Sequence, residues 1–293
     1  MKNQEEARGL LFVLETHAWG NQKKIPIEKL QQDTDLYDWV RANKSLISNT
    51  ALEGIQYCIT KARNTIKTYA LANISGGVFF VPANYVEKLS EKIDLIIEDL
   101  QELIEELETD FEKYKKMAKK ELEPKGLYDE GDYPDNIGSK FGLSYRIITM
   151  GVPGELKSIS PELYRQEVQK YKDTMETIKN ESIVFLRESF LKTISTIVDN
   201  LKGRENGEPR RLKQSTLEKV EFFFSELKNK NIFQDSVLQS LVETAREAMI
   251  DVDIKDLKNS EDLRKEIQEK FSEVKEVLEG SIESFKRRIT FRK

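Results

Sequence analysis

The sequence predicts a mainly α protein: an elongated helical bundle of long coiled-coil-like helices with a small antiparallel β element at one end. Three observations predict it. First, Val86, Ile93, Leu100, Leu107 and Tyr114 recur every seven residues, with Leu89, Ile96, Leu103 and Met117 interleaved, the seam of a long amphipathic helix. Second, charged residues make up 34% and hydrophobic ones 38%, with Gly 14 and Pro 7, a balance suited to solvated helices. Third, Ile74-Ser-Gly-Gly-Val-Phe-Phe-Val-Pro82 interrupts two helical patterns and matches the period of neither.

Leu10 to Trp19 is rich in β-formers and ends at Gly20-Asn21, so it reads as a strand. Lys23, Lys24 and Pro26 make a polar connection, a short helix starts near Pro26 with Ile27 and Leu30, and another pattern begins around Asp35. Leu52, Ile55, Ile59, Ala62, Ile66 and Tyr69 then form a helical seam. Asn49 or Thr50 is the expected N-cap, Glu53 completing a capping box with Thr50, and Gly76-Gly77 is expected to stop the helix after about Asn73.

The long helix from Ala83 to about Glu121 follows Pro82 and would measure roughly 55 to 60 Å at 1.5 Å per residue. Glu123-Pro124 ends it, and 125–139 is a loop of Gly, Pro, Asp and Tyr. Phe141, Leu143, Tyr145 and Ile147 alternate with small or polar residues, so a second strand is expected to pair with the first or with Val78 to Val81. Ser160-Pro161-Glu162 starts a helix that continues to Leu201, with a phase shift of its apolar stripe near Ser182.

Residues 202–214 are rich in Gly, Pro and charge and read as a linker. Helices from about Thr216 to Asn229 and from about Gln234 to Ile250 follow. Last comes a heptad run through Leu263, Ile267, Phe271, Val274, Leu278, Ile282, Phe285 and Ile289. The expected organisation is a bundle with its β element over 1–201, the linker over 202–214, and a C-terminal helical hairpin or coiled coil over 215–293. The last heptads offer a seam for self-association, so a homo-oligomer is one expected partner state.

The 293 residues suffice for a sizeable core. A balance of 47 Lys+Arg against 52 Asp+Glu, net −5, sets up no global field toward nucleic acid or anionic lipid. One cysteine cannot form an internal disulfide. The apolar run Leu10 to Leu14 is too short for a signal peptide, and no window reaches the roughly 20 apolar residues of a membrane span. A cytoplasmic protein is the expectation.

No catalytic, cofactor or metal motif emerges. His17 is the lone histidine, at a strand end, and Cys58 sits on a helix seam as an inert thiol. Gly151-Val-Pro-Gly-Glu-Leu-Lys-Ser158 lacks the Gly directly before Lys that a phosphate loop needs, and Glu155 would repel the phosphate. Asp129, Glu130, Asp132 and Asp135 are dense but not in calcium-loop order, and a solvated acidic loop explains them. Lys113, Lys115, Lys116, Lys119 and Lys120 complement the negative pole at the end of the long helix. Two stretches remain as candidate binding residues. Val78, Phe79, Phe80 and Val81 form an apolar tip between helices, open to burial as a strand, to partner docking or to bilayer insertion. Arg287 and Arg288, with Lys286, Arg292, Lys293 and the linker's Arg210, Arg211 and Lys213, could contact phosphates.

Several stretches carry a family resemblance. They are Trp19-Gly20 with lysines just after it, Lys44-Ser-Leu-Ile-Ser-Asn-Thr-Ala-Leu52, Ala62-Arg63, Gly76-Gly-Val-Phe-Phe-Val-Pro82, and Phe111 with Tyr114 in the long helix. Together they resemble an uncharacterised family of phage and bacterial helical proteins, often encoded beside a MoxR-type AAA+ ATPase and a von Willebrand factor A (VWA) protein. The likeness covers residues 10–150 and extends more loosely to the linker. It implies a helical accessory protein working with a AAA+ motor, in phage infection or host defence. The functional expectation is therefore a non-enzymatic adaptor or scaffold, without cofactor, that binds protein partners. The alternatives are a membrane-active bundle inserting the Gly76–Val81 tip, and a nucleic-acid-binding protein using the basic C-terminus.

Overall fold

The protein is described here through a computed structural model covering residues 9–26, 42–202, 214–250, 252, 257 and 259–291. It is mainly α with a small antiparallel sheet, as the seams predict. The elements in chain order are β1 (Gly9–His17), β2 (Gln22–Lys24), β3 (Asn43–Ser45), α1 (Glu53–Tyr69), β4 (Ala72–Ser75), β5 (Val78–Pro82), α2 (Val86–Leu122) and β6 (Gly142–Ile148). The single turn α3 (Leu156–Ile159) follows, then α4 (Pro161–Leu201), α5 (Gln214–Lys230), α6 (Ser236–Glu247) and α7 (Glu261–Phe291). The short helix expected near Pro26, the pattern from Asp35, linker residues 203–213 and terminal Arg292 and Lys293 lie outside the described residues.

Strand order in the main sheet is β4-β5-β1-β6, each neighbour antiparallel. Of the two partners expected for β6 it takes β1, Ile147 facing Phe12, and β1 pairs Phe12 with Phe79 of β5 on its other side. The sheet does not sit at one end of a bundle. It lies between two helical layers, because successive side chains of a strand point to opposite faces and both faces here are apolar. Phe12, Leu14, Phe79 and Val81 join the core of α1 and α2, with Ile55, Ile59, Ile66, Leu89 and Ile93. Leu11, Ala72 and Phe80 join a second core made by α4, α5, α6 and α7.

This second core revises the expected domain boundary. The heptad residues Ile267, Phe271, Val274, Leu278 and Ile282 of α7 are buried in the same cluster as Phe190, Ile194 and Leu201 of α4 and as Phe80 of the sheet. The C-terminal helices therefore close on α4 and the sheet within one chain, and their seam is covered there. In α4 the buried positions begin at Ile178, so the phase shift at Ser182 marks where the helix enters the core. The buried Ser182 hydroxyl donates to the Ile178 carbonyl at 2.7 Å, which satisfies it on an apolar face.

Two local expectations also change. The Thr50–Glu53 capping box does not form: Asn49–Leu52 is a 3-10 turn leading into α1 with no side-chain cap. The helix ends at Tyr69, not Asn73, because Ala70 turns to extended backbone and Ala72–Ser75 becomes a strand. Gly76 and Gly77 are thus the turn of a β4–β5 hairpin. Gly76 has φ +46, and a Cβ on Gly77 would lie 2.2 Å from the Leu14 carbonyl oxygen. At Ser160 the prediction holds, with its hydroxyl accepting from the Leu163 amide at 3.2 Å and Pro161 opening α4.

Candidate functional site

Three of the four residues singled out as an apolar tip are interior, and Val78 is partly buried against the core that Phe80 joins. Phe79, Phe80 and Val81 are 2%, 1% and 0% exposed, with β4 and β1 occupying both edges of β5. Phe79 faces the α1–α2 layer and Phe80 the opposite one, where it stacks on Phe233 at 6.0 Å. Four consecutive apolar residues are what a strand covered on both faces requires. Val78 to Val81 therefore form no tongue for docking or insertion, a correction of that expectation. Among the described residues no helix is long and apolar enough to cross a membrane.

Arg287 and Arg288 are exposed on the last turns of α7, and both are engaged. Arg287 pairs with Glu283 at 3.1 Å, Arg288 lies over the Phe285 ring at 5.1 Å, and neighbouring Lys286 reaches Glu188 of α4 at 2.6 Å. The acidic loop is likewise consumed by internal contacts. Asp129 accepts from the Gly131 amide at 3.0 Å, Glu130 pairs with Lys115 at 2.7 Å, and Asp132 pairs with Lys44 at 2.5 Å. The Asp132–Lys44 pair fastens the β2–β3 ribbon to the loop, along with a 2.8 Å hydrogen bond from the Tyr133 hydroxyl to the Leu46 carbonyl, while Glu130 ties the loop to α2. Among the described residues no group of three or more His, Cys, Asp and Glu could hold a metal ion. The His17 imidazole lies against Gly142, where a Cβ would approach it to 2.0 Å. Cys58 is buried, and desolvation pushes its thiol pKa up, away from reactivity. Gly151–Ser158 forms a turn and the single-turn α3.

What the fold leaves open is the outer edge of β6. β6 ends the sheet, and among the described residues no strand pairs with its outer side, so its outward amides and carbonyls have no ladder partner. Such edges are normally blunted by charges or proline. In Gly142–Ile148 the one charge, Arg146, is turned across the sheet into an ion pair with Glu15, and there is no proline. The strand's end is apolar and solvent-facing: Ile147 is 41% and Ile148 46% exposed, followed in the chain by Ile159 at 75%. Its other end is rigidly seated, with Leu143 buried and the Tyr145 ring stacked on Phe12 at 4.6 Å. The alternation of 141–147 was visible in sequence, but not that this strand would be terminal in the sheet. Strand order is settled only when β1 takes β5 on its other side.

A second cluster joins the two helical layers. Tyr85, just before α2, donates its hydroxyl to Glu226 of α5, and Lys230 one turn later donates to the Thr68 carbonyl of α1 at 2.9 Å. The Lys230 ammonium lies 6.0 Å from the Tyr85 ring centre, and Tyr85 leans on Tyr69 at 5.4 Å. Burial, reinforced by the bond to Glu226, holds the Tyr85 phenol far above its usual pKa. Burial pushes Lys230 down, opposed by the Glu226 charge. Glu226 and Lys230 stand four apart in the sequence, but 141 positions separate Tyr85 from Glu226, so no local pattern announced the cluster. Comparison of the chain with protein-family models, curated proteins and solved structures finds no match.

Proposed function

We propose that the protein is a non-enzymatic adaptor that receives an extended segment of a partner protein along the free edge of β6. The observation that supports this reading is the combination of an unpaired edge, an unguarded apolar end at Ile147 and Ile148, and a strand anchored by Leu143 and Tyr145. A segment adding there would gain main-chain hydrogen bonds from β6, while Ile147 and Ile148 would offer apolar contacts on the two faces. A AAA+ motor of the MoxR type, with a VWA protein, is the proposed partner set, in a phage or host-defence setting. That part rests on the resemblance over residues 10–150.

The test is co-purification from the native host with the wild-type chain and with Ile147→Lys/Ile148→Lys, identifying the bound proteins. A AAA+ ATPase or VWA protein captured by the wild type and lost from the variant, with amide exchange of 142–148 slowed in the complex, is the expected result. Identical captures by both chains would remove β6 from the interaction.

A further inference from the structure

We infer that Lys230 is a modification site, an amine placed to accept an acyl group from an acyl thioester. The argument starts from helix geometry. A Glu four residues before a Lys on a helix ordinarily pairs with it, as Glu261–Lys265 does at 3.0 Å and Glu266–Lys270 at 2.7 Å. Glu226 and Lys230 have the same spacing on α5, yet the Tyr85 hydroxyl claims the carboxylate. The ammonium is left with a neutral partner, the Thr68 carbonyl, and among the described residues no carboxylate oxygen lies within ion-pair distance of it. The groups around it are Glu226 on its own helix, Tyr85 before α2, Tyr69 and Thr68 at the end of α1, and Lys88 of α2 over the Tyr69 ring at 5.9 Å.

This setting favours the free amine. Lys61, Lys115 and Lys265 each have a raised pKa, held up chiefly by a hydrogen-bonded carboxylate, whereas burial lowers that of Lys230. The residue is only half-buried and its bond to Thr68 lies at the surface, so the thioester end of an acyl donor can approach from solvent. The amine lone pair attacks the thioester carbonyl carbon and a C–N bond forms. The C–S bond then breaks, and the proton lost from nitrogen leaves with the thiol. No oxidant or reductant enters. Glu226 tunes the rate through its choice of partner: bonded to Tyr85 it acts on the amine only as a nearby charge that burial outweighs, and turned to Lys230 it would hold the amine protonated.

The test is site-resolved mass spectrometry of the folded full-length chain incubated with excess acetyl-CoA at neutral pH. Lys230 is expected to be acetylated several-fold faster than exposed Lys228 on the same helix. Tyr85→Phe, which frees Glu226 to pair with Lys230, should slow it toward the Lys228 rate, and Glu226→Gln should keep it fast. Circular dichroism checks that each variant is folded, and Glu226→Gln keeps the test decisive should Tyr85→Phe not fold. Acetylation of Lys230 no faster than Lys228 would overturn the inference, as would a slowed rate in Glu226→Gln.

Discussion

Arg187 of α4 and Asp235, the N-cap of α6, form a bidentate pair inside the protein, with Nε to Oδ2 at 2.7 Å and Nη2 to Oδ1 at 2.8 Å. Both residues are buried. Arg187 also donates to the Ser281 carbonyl at 3.1 Å and lies over the Phe285 ring at 5.1 Å, so one guanidinium ties together α4, α6 and α7. Asp235 in turn accepts from the Leu238 amide at 3.3 Å, capping α6. Burying two charges is costly, and the pair holds because their hydrogen-bonding capacity is largely met.

Removing one partner strands the other charge in an apolar interior. Arg187→Ala or Asp235→Ala should each destabilise the fold by about 3 to 5 kcal/mol. The double change Arg187→Ala/Asp235→Ala should cost less than the two single losses added. Urea unfolding followed by circular dichroism measures all three, and additivity would show that the two residues act independently.

The hairpin turn makes an equally specific demand. Gly77→Ala places a methyl group against the Leu14 backbone and should cost about 1 to 3 kcal/mol, since backbone yields less readily than a side chain. Gly151, where an added methyl group would meet nothing within 4 Å, provides the control. Thermal unfolding of Gly77→Ala and Gly151→Ala compares them, and equal melting temperatures would refute the close approach.

Phe80 fills the core between the sheet and the C-terminal helices. Phe80→Ala should lower stability by about 3 to 5 kcal/mol through lost burial and the cavity left behind. Ile147→Lys, on the exposed edge, should stay within about 0.5 kcal/mol of wild type. Chemical denaturation of the two variants separates interior from edge.

The Tyr85–Lys230 junction predicts a shape for stability against pH. Lys230 has a lowered folded pKa, so between that value and the unfolded lysine value of about 10.4 the unfolded chain binds more protons and stability rises with pH. Tyr85 has a raised folded pKa, so its contribution is full below the unfolded value of about 10 and is lost as pH climbs above it. Lys230→Met should flatten the rise, and Tyr85→Phe should blunt the alkaline fall. Urea midpoints from pH 7 upward read both, and superimposable wild-type and Lys230→Met profiles would contradict the burial of the amine.

Some of the site was legible before the fold and some was not. The period-two alternation of 141–147 identified a strand, while its place at the sheet's edge depended on which strands β1 accepted. The apolar run Val78 to Val81 was conspicuous in sequence, but a run of that kind fits a tip and a doubly covered strand equally well. Tertiary structure chose the second by laying a helical layer on each face.

The sequence by itself determined the helices, their seams, the Ser160-Pro161 start and the two longer strands, because each is written in residues a few positions apart. Only the tertiary structure decided that α7 closes on α4 within the chain and that Phe79 and Phe80 part toward opposite layers. It also decided that Arg187 meets Asp235 across 48 positions and Tyr85 meets Glu226 across 141. Periodicity specifies which face of an element is apolar. Which other face covers it is set by the joint packing of every such surface, and no local stretch contains that information.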